Sequence, residues 1–232
     1  MEVGEKDITE KQENDSINNS EMCNNKGKKS LEELRRRVDI TYRTRIISAD
    51  RLRNKNKEYK KLNMYYSALV TGLSILSIGN DYKILGVLSV SNIVLMFSIL
   101  LSYYMFYISE KNLQERAYKM EETFKNLDRL KNKIDITLSY YHEFDEGKCK
   151  RLYQDYERIL TSIENHEEMD YYIYRMGIYD KEGVKDNQQL VYNKIKNKVI
   201  LYKLISKLLI TCKYLLPTIV SVVLLYNITL KR

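Results

Sequence analysis

The chain has 232 residues and a net charge of +8, with 30% charged and 44% hydrophobic residues. Its mean hydropathy of -0.46 would suit a soluble protein, but the apolar residues gather into long runs with the charges between them. Such runs are measured against a bilayer rather than a globular core, and one proline with eight glycines leaves few breakers, so long helices are expected.

Cys23, Cys149 and Cys212 have no CxxC or His-paired spacing and point to neither a disulfide framework nor a zinc site. No metal or cofactor is expected. Residues 1–30 contain no apolar core stretch, so no cleavable signal peptide is expected. Richness in Lys, Asn, Ile and Tyr fits an AT-rich bacterial genome.

In chain order, residues 1–29 are polar, lack apolar periodicity and read as a disordered tail. Ser30 is placed to cap a helix, with Glu32 and Glu33 complementing the dipole of its first turn. Leu31, Leu34, Val38, Tyr42, Ala49 and Leu52 then recur at three- and four-residue intervals, giving a basic amphipathic helix over 30–62. Between residues 28 and 61 there are thirteen Lys/Arg against five Asp/Glu, an excess equal to the net charge of the whole chain.

Residues 63–108 read as a transmembrane hairpin. The first run, 63–78, is short for a hydrocarbon core of ~30 Å; snorkelling stems of Lys60 and Lys61 extend it. The second, 84–108, is long enough to cross with tilt. Only Gly79, Asn80, Asp81, Tyr82 and Lys83 lie between, which is turn chemistry. The basic flank before residue 63 places both ends of the hairpin, and the N-terminus, in the cytoplasm of a bacterial inner membrane. Tyr65, Tyr66, Tyr82, Tyr103, Tyr104 and Tyr107 take interfacial positions in a chain without tryptophan.

Past Ile108 the helix pattern continues. Leu113, Ala117, Met120, Phe124, Leu127, Ile134, Leu138 and Tyr141 form a heptad-like seam that pairs with the basic helix, within one chain or between protomers. A break follows over 142–148. Helices are then expected over 149–163 and from Met169 towards Met176, with a polar link over 177–187. The cytoplasmic helical domain covers 109–207. A last apolar stretch, 208–230, with Lys213 and Pro217, is read as a third span or a re-entrant helix, against a helix buried in the cytoplasmic domain or lying in the interface. The fold class is thus an all-α membrane protein: a hairpin whose long helices extend into a cytoplasmic helical domain, plus a C-terminal hydrophobic helix.

Ser67, Thr71, Ser74, Ser89, Asn92 and Ser98 are candidates either for close helix packing or for the lining of a pore built from several hairpins. Asn92, read as lying near the middle of the second helix, needs a polar partner in lipid. The basic face over 35–61 suits topogenic and lipid-facing roles; nucleic acid is the less favoured partner. A phosphate loop, an HExxH and a GxSxG elbow are all missing. No catalytic residue is expected, and the protein reads as a non-enzyme.

One further cluster, Tyr156-x-x-Ile159-Leu160-x-x-x-Glu164-Asn165-His166-x-x-x-Asp170-Tyr171, reads as a turn fixing two helices together. Together with Arg45-Ile46, Arg51-Leu52, the short-turn hairpin, Leu127 and Leu130, it resembles the SLATT family of SMODS- and SLOG-associated two-transmembrane effector domains over about 31–205. The resemblance implies a membrane effector of a bacterial antiviral conflict system. Its hairpins would assemble as a homo-oligomer into a pore in the lipid bilayer on a signal from a partner sensor: a nucleotide synthase, a SLOG module or a reverse transcriptase. The alternative is a non-enzymatic membrane scaffold or sensor subunit that recruits a cytosolic partner. The stretch after Leu208 departs from a plain two-span plan.

Overall fold

The computed structural model describes the backbone of residues 3–78, 83–84, 88–140, 146–164 and 166–230, with side chains for most of them from residue 25 on. The described helices are α1 (Val3–Ser77), α2 (Val90–Glu110), α3 (Leu113–Tyr140), α4 (Glu146–Thr161), α5 (Glu168–Glu182) and α6 (Gln189–Leu230). Two strands of two residues, β1 (Lys83–Ile84) and β2 (Leu88–Ser89), pair antiparallel. The fold is otherwise all-α. The chain divides into two compact units: Met1–Ser48 with Tyr118–Asp170, and Ala49–Ala117 with Tyr171–Arg232.

In the first unit, Leu31, Leu34 and Val38 of α1 pack with Leu127, Leu130 and Ile134 of α3 and with Leu152 of α4. Full burial of each such side chain is worth about 1.5–3 kcal/mol. Tyr42 meets Phe124 edge-on at 6.1 Å. Lys131 pairs with Asp39 at 2.6 Å and Arg35 pairs with Asp135. For these residues the seam closes within one chain. Burial pushes the Asp39 carboxyl up, but its hydrogen bonds from Lys131 and Arg43 outweigh that and hold it below its ordinary value.

Two expectations for α1 are corrected. The tail over 1–29 is helical from Val3 onward; it contains no proline, and extending an existing helix costs far less than nucleating one. Ser30 is therefore not a cap. Its hydroxyl lies 3.1 Å from that of Tyr153, which also donates to the Ser30 carbonyl at 3.0 Å. Glu33, no longer in a first turn, accepts from Arg36 and Arg37, which draw its carboxyl down to about 2.

In the second unit, Leu73 near the end of α1 packs with Val90 and Val94 of α2 and with Val220 of α6. Tyr66 meets Tyr104 at 5.9 Å. Those two levels make α1 and α2 antiparallel neighbours, as a hairpin requires. The second helix, however, begins at Val90 rather than 84. Ser89 caps it, with its Oγ accepting from the Asn92 N–H at 3.3 Å. A short apolar run reads alike as strand or helix, so β1 and β2 were hidden inside it. The expected turn at 79–82 lies outside the described residues.

The helix pattern also stops where continuity was expected. Asn112 is left-handed at φ 44°, a conformation asparagine tolerates, and α3 restarts at Leu113. Conversely, the polar link over 177–187 is helical as far as Glu182. Buried Tyr179 packs edge-on against Tyr192 at 5.6 Å, and that contact carries α5 through Gly177. Gly183, at φ 81°, then ends the helix. The last helix is continuous through Pro217 to Leu230.

Candidate functional site

In the first unit, α1 turns Thr44, Arg45 and Ser48 fully inward, each 0% exposed. Arg45 Nη1 donates to the backbone carbonyl of Glu164 and lies 3.1 Å from Met120 Sδ. Thr44 satisfies its own hydroxyl on the Ile40 carbonyl at 2.7 Å. Among the described residues, the Nε and Nη2 of Arg45, Ser48 Oγ and His166 Nδ1 are buried without hydrogen-bond partners. Burial lowers the Arg45 pKa, and the neighbouring Glu164 and Tyr156 oppose that shift. The cluster is a buried cation with two of its donors unsatisfied, which is a costly arrangement.

The sequence motif closes around this arginine. Tyr156 Oη lies 2.9 Å from Thr41 Oγ1. Asp170, fully buried, accepts from the Glu167 N–H at 3.1 Å, the back-reaching half of a capping box at the start of α5. His166 is half-buried, near Arg45 and Asp170. Tyr171 belongs to the other unit, where its hydroxyl accepts from Arg175 at 3.2 Å. Asn165 lies outside the described residues. Among the described residues no cluster of His, Cys, Asp and Glu is placed to hold a metal.

Arg45 corrects the reading of 35–61 as one solvated basic face. The sequence carried a signal for it: Arg45 fills the gap between Tyr42 and Ala49 in the apolar stripe, three residues after one and four before the other. A charge in register with a core stripe is a buried charge.

Burial, then the Arg45 charge, hold the His166 imidazole below its ordinary 6.5, with Asp170 acting the other way. A histidine whose folded pKa is depressed contributes stability that is complete above 6.5 and lost as pH falls through the folded value. The first unit is therefore expected to melt earlier at about pH 5.5 than at about pH 8, and His166→Gln should remove most of that difference. An unchanged pH slope in the variant would assign the effect elsewhere.

In the hairpin, the candidate hydroxyls are mostly satisfied within their own helices. Ser74 donates to the Val70 carbonyl at 2.8 Å and Ser98 to that of Val94 at 2.9 Å. Ser67 reaches Asn63 at 3.5 Å, and Thr71 is exposed. Asn92 is corrected: it is exposed in the first turn of α2 rather than at its middle. Further along α2 a set of outward positions is apolar, with Leu95, Met96, Ile99, Tyr103 and Phe106 all at least half exposed.

A contact absent from the sequence reading joins α6 to this hairpin. Pro217 has no N–H, so the Lys213 carbonyl four residues earlier loses its helical partner. Tyr66 donates to that carbonyl at 2.9 Å. Beside it, Tyr65 donates to the Tyr214 carbonyl at 3.1 Å and its ring meets that of Tyr214 at 5.1 Å.

Among the described residues one stretch, Val90–Tyr140, contains a window long and apolar enough to cross a membrane. Over residues 27–225 the sequence matches the SMODS and SLOG-associating 2TM effector domain family 5. The match spans most of the chain, which belongs to that family and so to the two-transmembrane effector domains. No curated protein and no solved structure matches the chain.

Proposed function

We propose that this protein is an effector of a bacterial conflict system that acts on the inner membrane by physical assembly rather than catalysis, when a partner sensor or nucleotide signal releases it. One observation carries the reading. Leu95, Met96, Ile99 and Phe106 stand exposed along α2, where water is a poor solvent and lipid or a second copy is a good one. The hairpin crosses the bilayer with α1 and α2, its N-terminal side in the cytoplasm, where the exposed lysines and arginines before residue 63 hold it. The end of α6 lies in the membrane beside them, tied by Tyr65 and Tyr66. Several copies then present Ser74 and Ser98 towards a shared axis and perturb the bilayer.

Induced expression of the full chain should depolarise the cell membrane within a generation of its insertion. Unchanged potential with the protein verified in the membrane fraction would refute the effector reading. A second reading, a scaffold that recruits a cytosolic partner, draws support from exposed Tyr118, Ile136 and Tyr140 on α3. It predicts a harmless hairpin and a partner lost on substitution of those three residues.

A further inference from the structure

Within the second unit α6 presents two opposite faces. Its inner face is held: the Lys213 and Tyr214 carbonyls accept from Tyr66 and Tyr65, and Val220 packs with Leu73 and Val94. The outer face carries Leu201, Leu208, Leu215 and Val222, with Ile205, Cys212 and Ile219 between them, so the intervals alternate four and three. The six aliphatic side chains are between 46% and 61% exposed, and Cys212 is exposed as well. This is one unbroken heptad seam, about 32 Å long, and its own chain leaves it open.

Charge avoids the seam. α6 carries six lysines and no acidic residue between Gln189 and Leu230. Lys194 and Lys198 fall in the seam's register and end it upstream, whereas Lys203, Lys207 and Lys213 lie at places turned away from it.

The position of the seam identifies what covers it. Tyr65, Tyr66 and Tyr214 form a tyrosine layer of the kind that marks the boundary between water and hydrocarbon. Leu201, Ile205 and Leu208 precede that layer on the water side, out of reach of lipid tails, and an exposed apolar row there calls for protein. Leu215, Ile219 and Val222 lie beyond it, out of reach of a soluble protein. A second copy of α6 in the same membrane meets both conditions, because its own boundary stands at the same height. Isoleucine at one set of seam places and leucine at the other is the pattern that favours two parallel strands.

We propose that two copies of this chain pair in parallel along residues 201–222 of α6, as a two-stranded coiled coil that starts in the cytoplasm and continues into the bilayer. The proposal rests on the membrane reading above, which gives both copies one orientation, and it names the contact through which assembly begins.

The test uses the full-length chain in native membranes, with Cys23→Ser/Cys149→Ser leaving Cys212 alone, and oxidation by copper phenanthroline. A dimer stable in SDS and reversed by dithiothreitol should form, since Cys212 meets its own copy across a two-fold axis. With Cys212→Ser added, Ile205→Cys and Leu208→Cys should restore the dimer, and Lys203→Cys and Lys207→Cys should not. Ile205→Glu/Leu208→Glu should abolish the Cys212 dimer; if glutamate disturbs folding, the cysteine scan decides without it. No dimer at Cys212, equal dimer at 203 and 207, or a dimer that survives the glutamates overturns the proposal. Cross-linking by Leu215→Cys with none at 205 or 208 overturns it in favour of a pair held by the membrane part alone. Membrane potential, read in the same cells, separates the levels. A cross-linked dimer with unchanged potential refutes the effector reading and keeps the seam, whereas depolarisation without the cross-link refutes the seam alone. Release of the parent chain by alkaline carbonate refutes the membrane reading and the proposal with it.

Discussion

Arg45→Ala is expected to destabilise the first unit by about 3 kcal/mol. Two losses add. The Glu164 carbonyl is left without the charged donor that now satisfies it, and the space of a long side chain that is 0% exposed is left empty. One gain opposes them, because a cation with two unpartnered donors no longer has to be kept from water. Arg45→Met separates these terms. It keeps most of the volume and removes the charge, so it should recover more than half of the loss, as apolar replacements of buried charges often do. Urea unfolding followed by hydrogen exchange across 31–48 and 120–138 reads the effect at the residues concerned. An alanine variant within about 0.5 kcal/mol of the parent would mean that the arginine is not held as described.

Tyr66→Phe is expected to weaken the packing of α6 on the hairpin by about 1–2 kcal/mol. The substitution is nearly isosteric, so its cost is the lost bond to the Lys213 carbonyl, which Pro217 leaves without a donor from its own helix. The double-mutant cycle makes this specific. Pro217→Ala supplies the missing N–H, so Tyr66→Phe should then cost little, with a coupling of about 1 kcal/mol. Thermal melting in micelles, or the binding of a trap that captures separated helices, gives the four corners of the cycle. Strict additivity would show that the tyrosine hydroxyl and the proline do not act on one carbonyl.

Both predictions depend on residues whose partners lie far away in the chain, and this marks the border of what the sequence made legible. The apolar runs, the three- and four-residue spacing of Leu31 to Leu52, and the seam from Leu113 to Leu138 announced the helices, since a buried stripe must recur with the helical period. Element ends were less legible. Ser30 looked like a cap because its type is right, but a helix that continues upstream needs none. The second hairpin helix was drawn too long because Ile84 and Leu88 are as apolar in a strand as in a helix. Asn92 was drawn too deep for the same reason. Of the candidate site, Tyr156, Glu164, His166 and Asp170 could be picked out as a group, yet Arg45, the neighbour of the first three, was read as surface because arginine is seldom buried.

By itself, the sequence determined the all-α class, the presence of a helical hairpin, the segregation of charge from apolar surface and the family. All of these follow from local pattern, where each residue's preference adds to that of its neighbours at fixed spacing. Tertiary structure alone decided that Arg45 is interior, that Tyr66 completes a helix interrupted by Pro217, and that the outer seam of α6 is left open by its own chain. Those facts depend on which side chains meet across a hundred residues or more, and no spacing within one helix encodes the identity of the atom opposite.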